Sequence, residues 1–186
     1  MQFIFLGPPG AGKGTQSTTL SELWGIPHIS TGDILRDAIA GKTSLGLQAH
    51  QHVEAGELVP DILIMALMRE RFGQPDMASG WILDGFPRTV PQAHALEELL
   101  SICKHPYPKV IYLDVSSDQL VKRLSDQGRL DDTEAVIRRR LAVYRKETIP
   151  LIDFYRKRQC LVTVDGNAPQ EDVAHFLQES LMSKSC

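Results

Sequence analysis

The run Gly7-Pro8-Pro9-Gly10-Ala11-Gly12-Lys13-Gly14-Thr15 follows directly on the apolar stretch Phe3-Ile4-Phe5-Leu6, and its residue types suit the enclosure of a polyphosphate. Glycines have no Cβ to block an approaching anion, so consecutive backbone N–H groups can turn inward around it. A helix expected to begin near Gly14 adds unpaired N–H groups and the positive end of its dipole at the same point. Lys13 supplies a mobile charge that reaches the outer phosphates of a nucleoside triphosphate. The bland alternative is a Gly-rich turn with a solvated lysine, and the order strand, loop, helix argues against it. One detail departs from the general pattern of such loops. Gly14 follows the lysine, and the hydroxyl comes one position later, at Thr15.

Further along, Asp84 closes the apolar run Trp81-Ile82-Leu83 and precedes Gly85-Phe86-Pro87-Arg88. A carboxylate at the tip of a buried strand beside a phosphate loop is placed to orient hydrated Mg²⁺; the alternative is a helix N-cap or turn aspartate. Phe86-Pro87 is a candidate cis peptide bond, in a turn that aims Arg88 back across the sheet edge. In Ser30-Thr31-Gly32-Asp33-Ile34-Leu35-Arg36, Thr31 reads as a helix cap, with Arg36 about one and a half turns further on. A long helix is expected over Thr133–Arg158, with Ile137, Leu141, Tyr144, Thr148, Leu151 and Tyr155 as its core stripe. At about 100° per residue, Arg139 points away from that stripe as a solvated charge and Arg138 lies to one side. Arg140 falls at the stripe's edge, beside Leu151, and is expected to lean into a cleft.

These groups need a frame that brings them to one edge. Strands are expected at Gln2–Leu6, near His28-Ile29, and at Trp81–Leu83, Val110–Val115 and Leu161–Val164. Helical patterns fill the intervals, around Thr15–Leu23, Gly32–Ala40, Leu45–Ala55, Asp61–Phe72, Pro91–Leu100, Ser117–Ser125, Thr133–Arg158 and Pro169–Leu181. Strands separated by helix-length segments form parallel β-α units with helices on both faces of one sheet. Ligands then bind at the carboxyl ends of the strands, where Gly7, Asp84 and Asp165 gather. The stretch Ser30–Val59 is helical without a strand partner and reads as an inserted lobe. A polar break at Ser125–Asp132 contains Gly128.

Composition sets the outer limits. A net charge of −3 argues against nucleic acid or an acidic membrane as the main partner. Cys103, Cys160 and Cys186 are odd in number and form no C-x-x-C pair, so neither a disulfide framework nor zinc is expected. Free thiols fit a reducing cytosol. A strand starting at the second residue leaves no room for a signal peptide, and no run is long enough to span a bilayer. The expectation is a soluble, cytoplasmic protein.

Five segments now stand in order: Gly7–Gln16, Ser30–Arg36, Gly56–Asp61, Asp84–Thr89 and Gly128–Asp132. Together they resemble the adenylate kinases, from the first strand to the last helix, and Gly14-Thr15 is regular for that family. The resemblance implies a P-loop-containing three-layer α/β/α fold around a central parallel five-stranded sheet. It divides the chain into a core (1–29, 60–121 and 133–186), a helical NMP-binding lobe (30–59) and a short lid loop (122–132). It implies Mg²⁺-dependent transfer of the terminal phosphoryl group of ATP to AMP, giving two ADP, by a monomer. Carried over by position, Gly10, Ala11, Gly12, Lys13, Gly14 and Thr15 cradle the ATP phosphates, with Lys13 tracking the moving group. Thr31, Glu57, Leu58, Val59, Gly85, Phe86, Pro87 and Gln92 line the AMP pocket, while Arg36 and Arg88 grip its phosphate. Arg123 stacks on the ATP adenine, a planar cation on an aromatic face, and Gly166 offers backbone to that base. Arg129 and Arg140 stabilise the transferring phosphoryl. With no hydroxyl directly after Lys13, Mg²⁺ is expected to be held by phosphates and water, with Asp84 and Asp33 behind the water.

One position departs from the family's pattern. Gln127 stands on the ATP side where the family usually has an arginine, so one positive contact to the ATP phosphates is missing or Lys122 or Arg123 compensates; weaker ATP binding is expected, and arginine at 127 should lower the apparent ATP constant. The nearest rival reading is a UMP/CMP kinase, which usually has alanine at Thr31 and asparagine at Gln92. A glutamine amide can pair with an adenine edge, which favours AMP. A GTPase-like switch or a non-catalytic nucleotide-binding module needs only the P-loop, and no Asn-Lys-x-Asp segment is present.

Overall fold

Short apolar runs ended by glycine or an acidic residue, and the three-residue His28-Ile29-Ser30, become the strands of one sheet. A computed structural model describes residues 1–127 and 133–182 of the chain. The strands are β1 (Gln2–Leu6), β2 (His28–Ser30), β3 (Trp81–Asp84), β4 (Lys109–Asp114) and β5 (Leu161–Asp165). All pair in parallel in the order β2-β3-β1-β4-β5. Between them run α1 (Lys13–Trp24), α2 (Thr31–Ala40), α3 (Ser44–Glu54), α4 (Asp61–Phe72), α5 (Val90–Ile102), α6 (Ser117–Gln127), α7 (Glu134–Val143), α8 (Pro150–Lys157) and α9 (Gln170–Met182). A 3₁₀ turn at Pro75–Ser79 leads into β3.

Alternation along the strands builds two cores. Ile4, Leu6, Leu83 and Val110 face one side, under α4, α5 and α8. Phe3, Phe5, Ile82, Ile111 and Leu113 face the other, where Leu20 of α1, Leu120 of α6 and Leu177 of α9 pack on them. Parallel strands covered on both faces must be apolar throughout, and β3 is buried at all four positions. The three-layer α/β/α reading is therefore correct. Among the described residues, no helix is long and apolar enough to cross a membrane.

Two local expectations need correction. Ser30, not Thr31, caps α2: its side chain accepts the Asp33 N–H, while Thr31 is already the first helical residue and is buried. The helix expected over Thr133–Arg158 is broken into α7, a π-helical turn at Tyr144–Thr148, and α8. Pro150 is the cause, because it has no N–H and its ring collides with the carbonyl one turn back. The chain widens ahead of it, and the Ile149 N–H bonds to the Tyr144 carbonyl five residues earlier at 3.0 Å. The angular reading fails across this turn. Leu151 and Tyr155 are fully buried, whereas Ile137, Leu141 and Tyr144 are only half-buried.

Candidate active site

Strand register brings the chemistry to one edge. Phe5 pairs with Asp84, and Ser30 pairs with Asp84 from the other side, so the loop after β1, the acid ending β3 and the start of α2 lie side by side. A cleft of about 1180 Å³ opens there. On one side is the loop Gly7–Gly12. Gly10 has φ +81°, and a Cβ on it would stand 2.9 Å from Leu124 Cγ, so both backbone and space require glycine. Gly12, at φ +90°, is the residue before Lys13, the first residue of α1. The N-terminus of α1 thus points into the cleft, with Gly14 and Thr15 in its first turn. Lys13 folds back over the loop, its Nζ donating to the carbonyls of Gly7 (2.9 Å) and Pro8 (3.0 Å).

Across the cleft, Gly85 (φ +83°) starts a turn in which Phe86-Pro87 is cis, as expected. A Cβ on Gly85 would fall 2.7 Å from Thr31 Oγ1 and 3.3 Å from Arg88 Nη2. The turn delivers Arg88, whose backbone and side chain are both tied. Its Nε donates to the Gly85 carbonyl (2.7 Å) and its N–H to Gln92 Oε1 (2.8 Å). Its carbonyl accepts from Thr148 Oγ1 at 2.9 Å. Burial lowers the Arg88 pKa, and the positive charges of Arg140 and Arg36 lower it further, against the opposing pull of Asp84. Three guanidinium groups therefore share one site. Arg36 pairs with Asp33 within the first turns of α2, and Arg140 lines the cleft from α7 with Val143 and Tyr144.

Asp84 is 9% exposed, and its Oδ2 lies 3.9 Å from His28 Nε2 and 3.6 Å from where a Cβ on Gly14 would stand. Gln92 and Thr31 are buried, and Thr31 Oγ1 donates to the Asp84 carbonyl at 3.4 Å. Val59 is buried and Leu58 half-buried at the cleft wall, with Leu35, Val53 and Ile64 beside them. Arg123 reaches the same cleft from α6, next to Leu124, which packs on Gly10. Gly166 also lines it, with its N–H committed to the Asp114 carbonyl at 2.8 Å. Arg129, the Gly128–Asp132 segment and the side chains of Lys122 and Gln127 lie outside the described residues.

Two placements were not expected. Glu57 turns its carboxylate to Arg139 Nη2 at 2.6 Å, so Arg139, though exposed, is not a lone surface charge. A Cβ on Gly56 would meet the Val136 carbonyl at 3.1 Å, so the loop after α3 lies against α7. Thr148, expected only as part of a core stripe, proves to be tied to Arg88. Its hydroxyl was the available signal, since a buried Thr needs a partner.

A phosphate-cradling loop that faces converging arginines across the carboxyl edge of a parallel sheet defines a phosphoryl-transfer enzyme of the P-loop class. The chain belongs to the adenylate kinase family, whose sequence pattern it matches over residues 5–160. It is 56% identical over 182 residues to adenylate kinase 1 of Nostoc sp., covering 98% of this chain and 99% of that one. It is 51% identical over 181 residues to the adenylate kinase of Cyanothece sp. (95% and 93%) and 45% identical over 184 residues to that of Leptospira biflexa (97% and 99%).

Proposed function

We propose that the chain acts as an adenylate kinase through two anion-binding poles that face each other across one cleft. A P-loop alone would hold a single nucleotide. The observation that carries the reading is the second pole, where Arg36, Arg88 and Arg140 line the same cleft as the loop. Such a set of charges is met by an acceptor that brings its own phosphate.

In this reading, ATP lies with its phosphates on the Gly10–Thr15 amides and the α1 N-terminus. Lys13 exchanges the loop carbonyls for phosphate oxygens and follows the group that moves. AMP lies beneath α2 and α3, its phosphate on Arg36 and Arg88 and its base among Leu35, Val53, Val59 and Ile64. An AMP phosphate oxygen attacks the terminal phosphorus of ATP as the bond to the β-phosphate oxygen breaks, giving two ADP. The transition state is loose, with negative charge spread over the transferring oxygens, so positioning and positive charge carry the catalysis. Arg140 is assigned to that charge, with Arg88, and Arg129 from the segment after α6. Arg123 and the Gly166 backbone are assigned to the ATP base, with Gln127 on the same side. Residues 30–59 form the acceptor lobe and 122–132 the lid, on a core of 1–29, 60–121 and 133–186. A cytoplasmic monomer completes the proposal, supported by the free thiols of Cys103 and Cys160.

The donor set fits Mg²⁺ bound in the way this ion prefers, through phosphates and water with one carboxylate nearby. Asp84, an acceptor-only group beside the loop, is the residue assigned to it; Asp33 is turned toward Arg36. When bound, Mg²⁺ neutralises and orients the ATP phosphates.

The test is a coupled assay with ATP and Mg²⁺ and with AMP, CMP, UMP or GMP as acceptor. AMP is expected to give the highest kcat/KM. Faster turnover with a pyrimidine nucleotide would overturn the assignment.

A further inference from the structure

Gln92 lines the cleft, and the adenine pairing expected of it from the sequence leaves open why its amide should present one face and not the other. An amide can rotate by 180°, exchanging its oxygen and nitrogen at almost no steric cost. Here both ends are held. Gln92 Nε2 donates to Asp61 Oδ1 at 2.7 Å, and Oε1 accepts the Arg88 N–H at 2.8 Å. The partners fix the orientation chemically, because a carboxylate only accepts and a backbone N–H only donates. Rotation would set Oε1 against the Asp61 carboxylate and NH₂ against the Arg88 N–H.

We infer that Asp61 is a specificity-determining residue: it locks the Gln92 amide in the orientation that reads a 6-aminopurine and rejects a 6-oxopurine. The inference rests on the proposed AMP pocket. The amide has two N–H groups and two lone pairs. One of each is spent on Asp61 and Arg88, leaving one N–H and one lone pair for a base. Adenine offers an acceptor at N1 beside a donor at N6, which matches that pair. Hypoxanthine offers a donor at N1 beside an acceptor at O6, which matches only the rotated amide. Gln92 is 3% exposed, so water cannot easily mediate a mismatch. The Arg88 half of the clamp is backbone and indifferent to side chain. Asp61 is the half that sequence controls.

Asp61 also stands in the first turn of α4, where a negative charge favours the helix dipole. A purely structural role would weaken all acceptors together. The test therefore reads a ratio, kcat/KM for IMP over that for AMP, since the two bases differ only at N1 and position 6. Asp61→Asn keeps the shape but can donate or accept, so only the Arg88 N–H still opposes the second orientation. The IMP/AMP ratio is expected to rise at least about tenfold, with the ATP constant unchanged. Asp61→Ala removes the acceptor outright and repeats the test should Asp61→Asn not accumulate as folded protein. Gln92→Leu, which cannot bond either base, is expected to raise the AMP constant about tenfold or more. If Gln92→Leu does so while both Asp61 variants leave the ratio unchanged, the lock is disproved and the pocket stands. If Gln92→Leu leaves the AMP constant untouched, the pocket itself is misassigned and the lock falls with it.

Discussion

Arg88 and Arg158 are arginines at opposite edges of the same sheet, and their surroundings push them in opposite directions. Arg158 sits just before β5, at the amino-terminal edge. It makes two bonds to Glu97 (2.6 and 3.2 Å) and lies 3.5 Å above the Phe154 ring. Tyr107 donates to the same carboxylate at 2.7 Å. The hydrogen bonds that Arg158 donates to Glu97 raise its pKa, outweighing burial. At the carboxyl-terminal edge, burial lowers that of Arg88, while Asp84 pulls it up and Arg140 and Arg36 pull it down. A charge that has its counter-ion stabilises the protein, and its bonding leaves little for a ligand. A buried charge whose side chain bonds a neutral carbonyl, with two other guanidiniums lining the same cleft, is organised for an anion that comes and goes.

The contrast breaks most sharply at Arg88. Arg88→Ala is expected to lower kcat/KM for AMP by about a thousandfold, in the range found when one phosphate-stabilising donor is lost. Removing a buried charge should at the same time leave the thermal midpoint unchanged or raised. Steady-state kinetics alongside a melting curve checks both. A large fall in midpoint with a small kinetic effect would make Arg88 a structural residue of the kind Arg158 is.

A smaller effect is expected at Thr148, which acts only through Arg88. Thr148→Val keeps shape and removes the hydroxyl that holds the Arg88 carbonyl. The loss of one buried hydrogen bond, about 1 kcal/mol, corresponds to roughly a fivefold rise in the AMP constant. The ATP constant should stay fixed and Thr148→Ser should restore the wild-type value. Equal changes for both nucleotides, or no rescue by serine, would place Thr148 outside the site.

This residue also marks where the sequence ceased to be readable. The loop, the strand-end acid and the parallel frame were legible because each depends on local chemistry, glycines before a lysine or an apolar run ending in Asp84. Arg140 was placed by angle because it precedes the irregular turn. Thr148 and the Asp61–Gln92 bond were not, since one depends on how the chain swerves before Pro150 and the other on two helix starts meeting in space. The cap of α2 was misassigned for a related reason. Ser30 and Thr31 are both capping types, and only burial of Thr31 under Asp84 decides between them.

At the compensated edge the prediction reverses in kind. Glu97→Gln is expected to cost about 1–2 kcal/mol of stability and leave kcat/KM unchanged. Burial pushes the Glu97 carboxyl up, but the bonds from Arg158 and Tyr107 and the Arg158 charge bring it below its usual range. A carboxyl lowered in the folded state contributes stability that is complete above its unfolded pKa, near about 4.3, and is lost as pH falls through the folded value. The gap between wild type and Glu97→Gln should therefore be flat from neutral to mildly acidic pH and shrink in stronger acid. A gap that widened in acid would contradict the pairing.

The smallest effect is expected at Arg139, beside one of the largest. Arg139 and Arg140 are consecutive on α7, about 100° apart, so the helix sends one to the rim and the other into the cleft. The Arg139–Glu57 pair joins the loop after α3 to α7, but its side chains are 54% and 44% exposed. Exposed pairs contribute roughly 0–1 kcal/mol and are screened by salt. Arg139→Ala should change the AMP constant by less than about twofold, a difference that fades as ionic strength rises. Arg140→Ala should lose activity on the scale of Arg88→Ala and keep that loss in salt, because the partner proposed for it is the transferring charge inside the cleft. Similar losses at both positions would mean that the general positive field of α7, rather than the direction of one side chain, supports the reaction.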